Sequence, residues 1–185
     1  STRTLYGGAE EYSIDADLTT VAILHGGLGE DLTLWKSTNN GDTWTRTLVD
    51  SFPYAPDIDI NGSNGDTVAT NDEGMSVALA PNGTAHVAFS TERIMDDNPG
   101  SGGFSIFPGD IGLVYWNDNT KQQVNIPITT ADIDGAANGG NNTGIIEIGQ
   151  YTTNADGTND PAARYGNKAL LSIPSISVDG NNIFI

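Results

Sequence analysis

Residues 37–44 read Ser37-Thr38-Asn39-Asn40-Gly41-Asp42-Thr43-Trp44, and this stretch decides the fold. It lies between Leu32-Thr33-Leu34-Trp35 and Thr45-Arg46-Thr47-Leu48-Val49, two strand-like runs of apolar and β-branched residues. Asn40-Gly41 is a strong hairpin signal, and Gly41 takes the positive φ of a tight reversal at no steric cost. An Asn39 side chain hydrogen-bonds backbone amides two residues on, and Ser37 does so more weakly. Trp44 opens the next strand with enough apolar surface to pin the turn against its sheet.

The octapeptide resembles the Asp-box, or bacterial neuraminidase repeat, whose pattern is Ser-x-Asp-x-Gly-x-Thr-Trp. Ser37, Gly41, Thr43 and Trp44 match, and Asn39 stands where the family has Asp. The resemblance implies the turn between the third and fourth strands of a blade in a sialidase-like β-propeller. A bare Asn-Gly hairpin is the plainer reading of the same residues.

Working outward, a pattern of apolar strand, Asx-containing turn and second apolar strand recurs in residues 12–23, 76–89 and 175–185. Each copy reads as the first two strands of a blade, and such repetition marks repeat architectures. The hairpin of residues 32–49 has a degenerate copy in residues 111–126, with Trp35 and Trp116 at matching places. The expected fold is therefore all-β, a propeller of about two and a half four-stranded blades. Blade one covers about 11–50, blade two about 75–127, and blade three starts near 173. A β-sandwich built from the same strands is the alternative. Two and a half blades close no ring, so the chain is expected to be the N-terminal part of a longer one.

The composition agrees. The 185 residues are rich in Gly, Asn, Asp and Thr, and no stretch keeps a 3.6-residue period. Seven basic residues against 24 acidic ones give a net charge of −17. Nucleic acid is an unsuitable partner, because phosphate binding needs clustered Lys and Arg. No run of 18 apolar residues is present, so no membrane span is expected. The absence of Cys excludes disulfides and thiolate chemistry.

In a four-stranded meander the first and third turns share one face, and the second turns and the connections between blades share the other. The long segments 51–74, 91–110 and 128–173 all fall on this second face. They carry most of the acid, Asp72, Glu73 and Glu92 included. Function concentrates on elaborated loops over a rigid scaffold, so this acidic loop face is the expected binding surface. Asp57-Ile58-Asp59-Ile60-Asn61-Gly62 matches the start of a calcium loop. Val68 occupies the place where an EF-hand needs Glu, so the candidate is a loop site for Ca²⁺ made of Asp57, Asp59, Asn61 and Asp66. Asn154, Asp156, Thr158 and Asp160 form a weaker cluster. His25 and His86 sit in strand-like contexts and read as structural.

Sialidases use three arginines for the substrate carboxylate, a Tyr-Glu nucleophile pair and an Asp acid/base. Their Arg-Ile-Pro motif is absent here, since Arg3 is followed by Thr4-Leu5. Arg93, Asp96 and Asp97 are the catalytic candidates. The leading reading is a non-catalytic binding or scaffold module on a secreted or cell-surface protein of bacterial type, taking a glycan or protein ligand. The alternatives are part of a sialidase-like glycoside hydrolase, and a structural component of a cell-surface assembly with a partner chain along its open edge.

Overall fold

The computed structural model describes residues 12–52, 67–95, 105–126 and 174–185. These residues are all-β and contain no helix. None therefore forms a helix long and apolar enough to cross a membrane. Among the described residues, ten strands make three antiparallel sheets.

The first sheet is a meander of β1 (Tyr12–Asp17), β2 (Thr20–His25), β3 (Leu32–Ser37) and β4 (Thr45–Asp50). The second is a meander of β5 (Thr67–Leu79), β6 (Ala85–Met95), β7 (Ser105–Asn117) and β8 (Val124–Asn125). β9 (Ser177–Asp179) and β10 (Asn182–Phe184) form a hairpin.

Period-2 alternation gives each sheet its core face. Ala22, Leu24, Leu32, Leu34 and Val49 of the first sheet pack on Val77, Leu79, Ala85, Val87, Phe89, Val114 and Trp116 of the second. All are buried, and each large side chain withdrawn from water contributes roughly 1.5–3 kcal/mol. The opposite face of the second sheet places Ala78, Ala88 and Tyr115 against Ile176 and Val178 of the hairpin region. The second sheet is thus covered on both sides.

The first strands stand next to one another, and side chains tie their backbones together. Ser13 Oγ accepts the Val77 N–H at 3.1 Å, and Asp15 Oδ2 accepts the Leu79 N–H at 2.7 Å. Ser76 Oγ then accepts the Ile176 N–H at 3.2 Å. Ser13-Ile14, Ser76-Val77 and Ser175-Ile176 are matching steps of the sequence repeat, so one device is used twice. It satisfies edge-strand donors that would otherwise invite foreign pairing.

Segments expected as loops are partly strand. β5 begins at Thr67, β6 continues to Met95 and β7 starts at Ser105. The second sheet therefore extends beyond its four-stranded body, with ladder irregularities at Asn71/Met75 and Thr91/Arg93. The run Asn71-Asp72-Glu73-Gly74 has turn chemistry, but it forms a bulge inside β5. Asn71 Oδ1 accepts the Glu73 N–H at 3.3 Å, and Asp72 Oδ1 accepts the Gly74 N–H at 2.8 Å. Glu73 sits at φ +70°. Asp72 and Glu92 are consequently buried in strands, not displayed on a solvated loop face.

Candidate functional site

The turn at residues 37–44 is held by its own side chains. Ser37 Oγ accepts the Gly41 N–H at 2.9 Å and the Asn39 N–H at 3.3 Å. Asn39 Oδ1 accepts the Thr43 N–H at 2.9 Å, four residues on, and also takes the Ser37 hydroxyl at 2.9 Å. Asn39 Nδ2 donates to Thr43 Oγ1 at 2.9 Å. Trp44 Nε1 donates to the Gly41 carbonyl at 2.9 Å, laying the indole over a glycine at φ +87°. The Asn40 N–H reaches the Thr19 carbonyl of the β1–β2 turn at 2.9 Å. With these groups engaged inside the turn, it reads as a structural clip.

A cleft of about 260 Å³ lies between the second sheet and the β9–β10 hairpin. Three turns at one end of the sheets build it: Ala80–Thr84, Asn117–Thr120 and Gly180–Asn181. Its polar lining is Asn82, Thr84, His86, Asn117, Asn119, Thr120 and Asn181, with Val178 and Ile183 as apolar wall. Internal hydrogen bonds fix Asn82, Thr84, His86, Asn117 and Asn119. Asn82 Oδ1 accepts the Thr84 N–H at 2.9 Å, and Asn119 Nδ2 donates to Thr84 Oγ1 at 2.9 Å. Asn117 Oδ1 caps the Asn119 and Thr120 N–H groups at 3.2 and 3.0 Å. Asn117 Nδ2 donates to the Tyr115 hydroxyl at 3.2 Å, and that hydroxyl lies 2.7 Å from His86 Nδ1. By donor inventory, the Asn82 amide nitrogen and His86 Nε2 keep hydrogen-bonding capacity for a ligand.

The described lining residues include no Asp, Glu, Lys or Arg, although the chain carries −17 overall. Nearby charge is consumed internally. Asp118 pairs with Lys36 of the first sheet and accepts the Ala85 N–H, and Lys36 also donates to the Gly83 carbonyl at 3.0 Å. His86 has its pKa lowered by burial, partly offset by the Asp118 carboxylate. A base with a lowered folded pKa binds fewer protons folded than unfolded. Its contribution is complete above the unfolded value of 6.5 and is lost as pH falls through the folded one. Acidification from about pH 7.5 to about pH 5.5 should therefore lower the melting temperature more in the native chain than in His86→Gln. Equal pH profiles would remove this role from His86.

Other residues singled out in the sequence fall elsewhere. Arg93 is half-buried in β6 opposite Ala69. Its companions Asp96 and Asp97, the calcium candidates Asp57, Asp59, Asn61 and Asp66, and the cluster 154–160 lie outside the described residues. The cleft opens at the end of the first and third turns, opposite the end at which β6 and β7 extend to Met95 and Ser105. Its signal in the sequence was an Asn in each of three turns of like parity, which the meander brings to one end. No protein-family model matches the chain, and no curated protein or solved structure matches it.

Proposed function

We propose that this chain is a non-catalytic β-propeller-type binding module of a secreted or cell-surface protein, and that it holds a neutral glycan in the cleft beside the second sheet. The observation that carries this reading is the uncharged cleft wall of amides, hydroxyls and one imidazole in a strongly acidic chain. Asn side chains offer donor and acceptor together, as sugar hydroxyls do, and Val178 and Ile183 suit the C–H face of a pyranose. The net negative charge disfavours sialylated or otherwise anionic sugars.

The propeller form is supported by the stacking. A sandwich sheet buries one face, whereas the second sheet here buries one on the first sheet and the other on the hairpin region. The first strands β1, β5 and β9 all lie along the same side, as radial blades require.

Isothermal titration with neutral trisaccharides of mannose, glucose and N-acetylglucosamine tests the function, with sialyllactose as the charged comparison. At least one neutral probe should bind with a Kd of about 0.1–1 mM, equivalent to roughly 4–5.5 kcal/mol. Asn82→Ala should weaken it about tenfold, the loss of one hydrogen bond. Binding by sialyllactose alone, or neutral binding untouched by Asn82→Ala, would sink the proposal.

A further inference from the structure

The hydrogen bonds around His86 fix which of its nitrogens carries the proton. The Tyr115 and His86 rings stack with centroids 6.0 Å apart, and the Tyr115 hydroxyl lies 2.7 Å from His86 Nδ1. That hydroxyl already accepts from Asn117 Nδ2 at 3.2 Å. Its own single proton has no other acceptor among the described residues, so it goes to His86 Nδ1. A neutral imidazole that accepts at Nδ1 carries its proton on Nε2. Burial lowers the His86 pKa against the opposing pull of the Asp118 carboxylate, which leaves the ring neutral at about pH 7. His86 therefore offers the cleft an N–H from a ring held in place on its other side.

Acceptors of three neighbouring side chains are engaged. Asn117 Oδ1 takes the Asn119 and Thr120 N–H groups. Thr84 Oγ1 takes Asn119 Nδ2, and Asn82 Oδ1 takes the Thr84 N–H. Beside the imidazole the cleft is apolar, because Val178 packs with Tyr115 on Ala78, Ala88 and Ile176. A ligand group seated at this floor needs an acceptor oxygen without a proton of its own, next to a small apolar end. A sugar hydroxyl fails the first condition, since it would bury its proton among engaged acceptors. A carboxylate meets the first condition and is repelled by the net charge of −17. An acetamido group meets both, with a carbonyl oxygen and a methyl on one carbon.

We propose that the cleft selects an N-acetylated hexosamine, an assignment that rests on the glycan reading above and narrows it. The acetamido carbonyl accepts from His86 Nε2, and the methyl lies on Val178. The pyranose hydroxyls meet Asn82, Asn119 and Asn181, which are exposed at the rim and are amides able to donate and accept. His86 is thus the specificity-determining residue, and the rim asparagines serve any neutral sugar.

The test is isothermal titration of the native chain with three trisaccharides that share one linkage and differ only at the second ring carbon. Chitotriose carries acetamido groups there, cellotriose hydroxyls, and the fully deacetylated chitosan trimer amines. Chitotriose should bind at least about tenfold tighter than cellotriose, the effect of one hydrogen bond and a covered methyl. Salt at about 0.15 M keeps surface charge from favouring the amines. His86→Phe keeps a flat ring and removes the N–H, so it should bring chitotriose and cellotriose to within about threefold of each other. Equal binding of cellotriose and chitotriose by the native chain overturns the N-acetyl assignment and leaves the glycan reading standing. An amine trimer that matches chitotriose, or a preference that survives in a folded His86→Phe, overturns the assignment as well. If neither these three nor mannotriose binds, the assignment and the glycan reading fall together.

Discussion

Trp116→Ala should lower stability by about 3–5 kcal/mol, the range for removing a fully buried large aromatic side chain. Trp116 is 1 % exposed, seated among the apolar residues that join the first and second sheets. Its removal leaves a cavity at an interface between sheets, and β7 is held by ladder bonds that limit collapse into it. Against a total of about 5–15 kcal/mol for a domain, that loss is a large fraction. Trp35→Ala is the matched control, because Trp35 occupies the equivalent register position and is only half-buried. Urea unfolding of the isolated monomer should show the Trp35 variant losing markedly less. Equal losses would mean that burial between the sheets is not what stabilises the fold.

Asp72→Ala should cost about 1–3 kcal/mol, the penalty for stranding a buried donor. Asp72 is fully buried, and its Oδ1 accepts the Gly74 N–H at 2.8 Å and the Ser90 hydroxyl. Alanine leaves the Gly74 N–H without that acceptor, inside a bulge where Glu73 already sits at positive φ. Ser90 limits the damage, since its hydroxyl also reaches the Gly74 carbonyl at 3.2 Å. Asp72→Asn keeps an acceptor oxygen for the Gly74 N–H, so it should lose less than half as much. If both substitutions cost under about 0.5 kcal/mol, the level of an ordinary surface change, the carboxylate does not hold the bulge.

Trp116 and Trp35 match in the sequence repeat and hold equivalent register positions, because strand alternation and the repeat are local patterns. Asp72 has the local sequence of a loop acid, because Asn-Asp-Glu-Gly is turn chemistry wherever it occurs. Only the pairing of Asn71 with Thr91 and of Met75 with Phe89 shows that the chain re-enters the same ladder. The cleft lay between these cases. Its asparagines were visible one turn at a time, and parity assigned the turns to one end. Their convergence on His86 required the hairpin to be docked.

By itself the sequence determined an all-β chain, the position of the turn at Ser37–Trp44 and a repeated strand–turn–strand unit. These follow from residue-by-residue steric and hydrogen-bonding preferences and from the period of the apolar residues. The tertiary structure alone decided which face of each sheet is covered, since Ile14 and Val77 are alike in local pattern and opposite in burial. It alone turned Ser13 and Ser76 into links between strands distant in sequence. Burial and long-range hydrogen bonds depend on which sheet lies next to which, and nothing in a strand's own residues encodes its neighbour.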